Sequence, residues 1–187
     1  MKVISKWSIA INLFLLVVVT GLFTIQPAMA QRGDDSKRKS KNGKTEGTID
    51  SVDIVIEYGR PKVNDREIWG GLVPYDKVWR TGADEATTIS FSKDVLIEGQ
   101  KLAAGKYGLF TIPGKEKWTI IFNKVANQWG AFKYDESQDA LRVEVKPEPN
   151  EMVEEMTFTI SPPNVVLEWE KLKVPFKVAV ASEPESQ

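Results

Sequence analysis

The sequence contains no histidine and no cysteine. A Ser-His-Asp triad, a thiol nucleophile and a disulfide are therefore excluded, and a zinc site lacks its usual imidazole and thiolate ligands. Haem and iron–sulfur ligation lose their common side chains as well. Also missing is any apolar stripe at 3.6-residue spacing long enough for a core helix, and there is no internal repeat, heptad or blade signature. The chemistry left rests on carboxylates, lysine, tyrosine, serine and threonine, with oxygen-held hard cations as the accessible metal type. No cofactor and no metal ion are expected.

The first long apolar run is at the N-terminus. Lys2 and Lys6 precede a nearly uniform stretch from Ile9 to Ile25, Pro27 breaks it, and Ala28-Met29-Ala30 follows. This order predicts a secretory signal peptide over residues 1–30, cleaved after Ala30. A retained membrane anchor is the alternative, because the run is long for a signal segment. No cysteine follows, so a lipid anchor at that point is excluded. The expected location is periplasmic or secreted, with no membrane span after cleavage.

Residues 31–47 have no large apolar side chain and carry Arg32, Lys37, Arg38, Lys39, Lys41 and Lys44 against Asp34, Asp35 and Glu46. Nothing there offsets the entropy of ordering, so a disordered basic linker is expected. Residues 183–187 form a short polar tail of the same kind. Between them, residues 48–182 are enough for one domain with its own core. That domain is acidic, which argues against nucleic acid as a partner. Without disulfides, its stability must come from packing, which suits the five of six tryptophans that follow Trp7.

Period-two alternation dominates the domain. Val52, Ile54, Ile56 and Tyr58 share one face of a strand over Thr48–Tyr58, and Ile89 and Phe91 share one over Thr87–Phe91. Trp118, Ile120 and Phe122 repeat the pattern, as do Leu141, Val143 and Val145. Met156, Phe158 and Ile160 continue it, then Val165, Leu167 and Trp169, then Val174, Phe176, Val178 and Val180. Gly130–Tyr134 reads as a further short strand. About eight to ten short strands at regular spacing predict an all-β antiparallel β-sandwich or barrel-like domain.

One segment interrupts this pattern. Gly59 to Thr88 is too polar, and too broken by glycine and proline, for a strand or helix, yet it holds Trp69, Tyr75 and Trp79. A long loop of that composition either plugs a core or presents a site. Its blocks Arg60-Pro61, Arg66-Glu67-Ile68-Trp69-Gly70, Leu72-Val73-Pro74-Tyr75 and Val78-Trp79-Arg80-Thr81-Gly82-Ala83 resemble a bacterial family catalogued as domain of unknown function 2911. So do Leu102-Ala103-Ala104-Gly105-Lys106-Tyr107 and Gln128-Trp129-Gly130. The resemblance covers most of Ser51 to Val178. It implies an all-β domain and export of the Bacteroidetes type, and it carries no established activity or cofactor. It also implies asparagine where this chain has Asp84, so an ionised carboxylate there is not essential.

Within the loop, Arg60, Arg66 and Arg80 are candidates for clamping a carboxylate, phosphate or sulfate. Internal pairing with Asp65, Glu67, Asp76, Asp84 or Glu85 is the favoured alternative. Trp69, Tyr75 and Trp79 offer an aromatic platform for a ligand ring, with burial as core plugs the better reading for the two tryptophans. Trp118 and Trp169 read as core, and Trp129 as a further candidate for the same cleft. Asp84 and Glu85 are adjacent acids, and neighbours on a strand point to opposite faces, so they do not form an acid–base pair there. The leading expectation is a non-enzymatic module that binds an envelope ligand (a glycan or anionic small molecule) or a protein partner through this loop. The alternatives are a carboxylate-dependent, glycosidase-like hydrolase using Asp84 or Glu85, and a structural envelope subunit joined by strand addition.

Overall fold

Alternating apolar residues from Val52 to Tyr58 pack one face of a strand inward, and the chain before them folds back to pair with it. In the computed structural model, which describes Arg32, Asp34 and residues 36–181, β1 (Lys41–Ile49) and β2 (Val52–Arg60) form an antiparallel hairpin. Thr48–Tyr58 is therefore not one strand. Asp50 and Ser51 turn the chain at φ 47° and 65°, the double left-handed geometry of a type I′ hairpin, here built without glycine.

The same hairpin corrects the boundary of the leader. Residues 41–47, expected to be disordered linker, are most of β1. Composition misleads here because an edge strand is held by its backbone ladder and needs little apolar surface of its own. Gly43 and Gly47 permit the approach: a Cβ would stand 2.8 Å from Tyr58 and 3.1 Å from Ile160. The expected signal peptide, its cleavage after Ala30 and the 183–187 tail lie outside the described residues.

Eight further strands complete two antiparallel sheets: β3 (Thr87–Phe91), β4 (Val95–Ile97), β5 (Gln100–Leu102), β6 (Gly105–Ile112), β7 (Trp118–Asn123), β8 (Asp139–Val145), β9 (Glu148–Ser161) and β10 (Asn164–Val180). One sheet runs β1-β2-β3-β6-β7-β8 and the other β5-β4-β10-β9. They face each other as a sandwich, not a closed barrel. No helix among the described residues is long and apolar enough to cross a membrane. The stretches 165–170 and 174–180 belong to one strand, whose pairing with β9 shifts register at Glu168/Glu170 and Glu170/Leu172. Gly130–Tyr134 is a run of turns rather than a strand, and Phe132 projects into solvent.

The core lies between the sheets, with Ile54, Ile56, Ile89, Leu109 and Phe122 facing Ile97, Phe158, Leu167, Phe176 and Val178. A smaller cluster of Ala86, Phe110 and Ile121 sits on the outer face of the first sheet, packed by Ala131 and Tyr134. That patch explains why the 124–134 segment lies back against the sheet: it covers apolar surface that would otherwise face water.

Candidate functional site

The 61–86 segment closes one end of the sandwich. It first leans on β9, where Val63 N donates to Glu154 O at 2.8 Å and Met156 N donates to Pro61 O at 2.9 Å. It then crosses to the other sheet, where Trp79 and Thr111 exchange backbone hydrogen bonds at 2.7 and 3.0 Å. Ile68, Val73 and Trp79 are buried beneath it. Trp69 meets Trp118 at 4.9 Å and Trp169 at 5.6 Å, both edge to face, while Trp79 stacks on Trp169 at 5.9 Å. The two loop tryptophans are thus plugs. Tyr75 lies apart, under Lys115 and against Gly70.

The three loop arginines do not form one clamp. Arg60 pairs with Glu155 at 3.1 Å, and Arg66 donates to the carbonyls of Val63 (3.0 Å) and Lys62. None of the loop acids is their partner. Arg80 makes no hydrogen bond or ion pair among the described residues, and its Nε is buried without a partner. Burial pulls its pKa below the usual guanidinium value, with Asp84 opposing. Arginine stays charged at any ordinary pH, so this is a desolvated, uncommitted cation.

Arg80 and Arg66 line a cleft of about 400 Å³ with Lys39, Lys62 and Asn64. The edges of Trp79 and Trp169 reach the same cleft, and Asp84 is the one carboxylate of its described lining. Backbone strain is concentrated beside it. Thr81, β-branched, is held at φ 54° by Thr81 Oγ1 donating to Trp79 O (3.2 Å) and Thr87 Oγ1 donating to Thr81 O (2.6 Å). Asp84 has φ 62°, a conformation that aspartate and asparagine both tolerate. Its carboxylate also stands 3.7 Å from Arg38 Nη1, so the position combines this backbone geometry with an ion pair.

Glu85 lies on the other side of the ridge that Asp84 begins. The ridge is antiparallel to residues 128–130, with Ala86 N donating to Gln128 O at 2.9 Å and Gly130 N to Asp84 O at 3.0 Å. Gln128 is itself pinned by its side chain to Val125 O (2.8 Å) and Asn123 (3.4 Å), and Asn123 donates to Asp139 at 2.8 Å. Tyr134 donates to the same carboxylate at 2.6 Å, and burial followed by that bond pushes its pKa up to about 12. Trp129, 59% exposed, therefore stands opposite Glu85 and not in the basic cleft. A notch of about 240 Å³ lies there, lined by Glu57, Glu85, Thr88, Asn127 and Trp129.

Two arginines of the leader meet this region: Arg32 is part of the notch lining, and Arg38 binds the Glu85 and Trp129 that line it. Arg38 grips Glu85 with both terminal nitrogens, Nη2 to Oε1 at 2.6 Å and Nη1 to Oε2, and lies 5.9 Å from the Trp129 ring. Arg32, almost fully buried, donates to the carbonyls of Glu85 and Ala86 at 2.9 Å each. The Arg38 hydrogen bond is the main cause holding the Glu85 carboxyl down at about 2. A carboxylate so committed is a poor general acid or base, and its neighbour Asp84 lines the basic cleft while also pairing with Arg38 at 3.7 Å. The glycosidase-like reading thus finds no geometric support. Among the described residues no cluster of three or more carboxylates stands ready to hold a metal ion.

Nothing in the local sequence marks Lys39, Lys62 and Arg32 as lining a cavity, or Arg38 as the partner of Glu85. The one signal is charge complementarity between the basic leader and the adjacent acids Asp84 and Glu85, which an expectation of disorder passes over. The clamp has a pH signature. Glu85 is lowered in the folded state from 4.5 to about 2, so its contribution to stability is fully present above about pH 4.5 and is lost as pH falls through about 2. Denaturation midpoints of the wild type and Glu85→Gln are expected to converge across that window. Curves that stay parallel there would show the pair contributes nothing.

The family described as "Protein of unknown function (DUF2911)" matches residues 40–178. No curated protein and no solved structure matches the chain.

Proposed function

The chain belongs to the DUF2911 family, and we propose that it is an exported, non-enzymatic β-sandwich module that binds an anionic ligand in the cleft beside Arg80. The observation that carries this reading is the Arg80 guanidinium, half-buried and without a protein partner among the described residues. Desolvating a cation without pairing it costs free energy that an incoming carboxylate, sulfate or phosphate recovers. Lys39, Lys62 and Arg66 on the same lining give the cleft a positive field against the single Asp84. The volume of about 400 Å³ suits one sugar acid or a small organic anion, and the tryptophan edges offer contact to its apolar face.

The test is a melting-temperature series on the protein with inorganic sulfate, a uronic acid and a neutral hexose. The two anions are expected to stabilise it, by about 2.7 kcal/mol at about a hundredfold excess over Kd, and the hexose is not. Arg80→Met keeps much of the stem and should abolish the response, while Lys62→Ala, at an exposed position, should weaken it. An equal response to hexose and anions, or none to either, rejects the reading.

A further inference from the structure

We propose that the notch between Glu85 and Trp129 is a receptor for the chain's own arginine-bearing N-terminal arm, and that seating the arm completes the anion cleft by bringing Lys39 to its rim. The second half rests on the anion-binding reading of that cleft; the first does not.

The notch is built for a guanidinium. Arg38 has its planar fork on both oxygens of Glu85, and its Cζ lies over the indole of Trp129, 5.9 Å from the ring centroid. Paired contact of that kind, carboxylate on the edge and aromatic ring on the face, is what arginine makes and lysine does not. Arg32 adds a second guanidinium that reads main-chain oxygens at 2.9 Å, so the site takes up two side chains of one segment rather than one stray surface ion pair. The receiving surface is fixed independently of the arm, because residues 84–86 and 128–130 are joined by their own backbone bonds. Asp34 turns the arm between the two arginines, accepting from Ser36 N at 3.0 Å and Ser36 Oγ at 2.7 Å.

The arm straddles the Asp84–Glu85 ridge. Arg38 grips Glu85 and also lies 3.7 Å from Asp84 Oδ2, while Lys39 falls on the side of Asp84 and Arg80. Releasing Arg38 therefore withdraws Lys39 from the cleft although Glu85 never touches the ligand. Glu85 is a positioning residue for the anion site.

Two readouts on the protein expressed from its full sequence test the halves separately. The first is limited trypsin digestion, following cleavage after Lys37, Arg38 and Lys39 by mass. Glu85→Gln leaves these peptide bonds in place, and cleavage is expected to accelerate about tenfold as the arm opens more often. Trp129→Ala, at an exposed position outside the core, should accelerate it in the same direction and keeps the test decisive should Glu85→Gln disturb the fold. Cleavage no faster than wild type in both variants overturns the receptor. The second readout is the sulfate concentration needed for half the thermal shift, expected to rise about three- to tenfold in Glu85→Gln and in Lys39→Ala alike. An arm that is released while the sulfate response is unchanged overturns the coupling. A wild type that ignores sulfate, with faster trypsin cleavage in the variants, overturns the anion reading and the coupling and leaves the receptor standing.

Discussion

Trp118→Ala is expected to destabilise the domain by about 3–5 kcal/mol, the range for truncating a fully buried large aromatic. Trp118 is 1% exposed and sits where the end-plug meets the core, against Trp69 at 4.9 Å and Trp79 at 6.5 Å. Trp79 is tied to Thr111 by two backbone hydrogen bonds and Trp69 is bridged to Val73, so these neighbours have little freedom to collapse into the space left behind. The loss should reach the loop too, since Trp69 and Trp79 lose a shared wall. Trp118→Phe supplies the control. The indole Nε1 of Trp118 is buried without a hydrogen-bond partner, so phenylalanine forfeits volume but no polar contact. A cost of roughly 1–3 kcal/mol, well below that of alanine, follows for it. Urea denaturation of the three proteins checks this. A Trp118→Ala midpoint displaced by less than about 1 kcal/mol would mean that the four-tryptophan cluster repacks freely.

The second large effect is expected at Gly59. A Cβ at this position would stand 2.2 Å from the carbonyl oxygen of Ala83 and 2.9 Å from its carbon. Both obstacles are backbone, so no rotamer change relieves them. Gly59→Ala must push the end of β2 away from the Arg80–Glu85 segment and break the Ala83 N to Gly59 O hydrogen bond of 3.3 Å. Overpacking of this kind costs typically about 1–3 kcal/mol and here should fall at or above the upper end. The displaced segment carries Arg80 toward one cavity and Glu85 toward the other, so sulfate response and arm protection should fail together. Gly43→Ala is the contrast: its obstacles are the Tyr58 ring and the Arg60 Cδ, both 2.8 Å away on side chains, which can move aside at less cost. Equal stability of Gly59→Ala and Gly43→Ala would refute the argument.

Much of the fold is legible in local sequence. Side chains in a strand alternate faces with period two, so the inward set Val52, Ile54, Ile56 and Tyr58, or Trp118, Ile120 and Phe122, can be picked out without coordinates. The same rule missed β1, because a ladder bond is made by the backbone and leaves no mark on composition. It missed the Asp50–Ser51 turn because the left-handed positions there are filled by residues other than glycine.

The candidate site divides in the same way. That residues 59–88 form a special loop, and that Trp69 and Trp79 plug a core, followed from residue type and from the cost of exposing indole to water. Which arginine is free did not. Arg60, Arg66 and Arg80 are chemically alike in one dimension, and only the tertiary structure sends one to Glu155, another to its own loop's carbonyls and leaves the third without a partner among the described residues. Likewise Glu85 and Arg38 are 47 residues apart, and nothing in local propensity couples them. The sequence alone determined the β-architecture, the chemistry excluded by missing histidine and cysteine, and the long polar loop that interrupts the strands. The pairing of charges was decided by the fold, because an ion pair depends on distance through space, and that distance exists only once two sheets have closed and an end-loop has been laid across them.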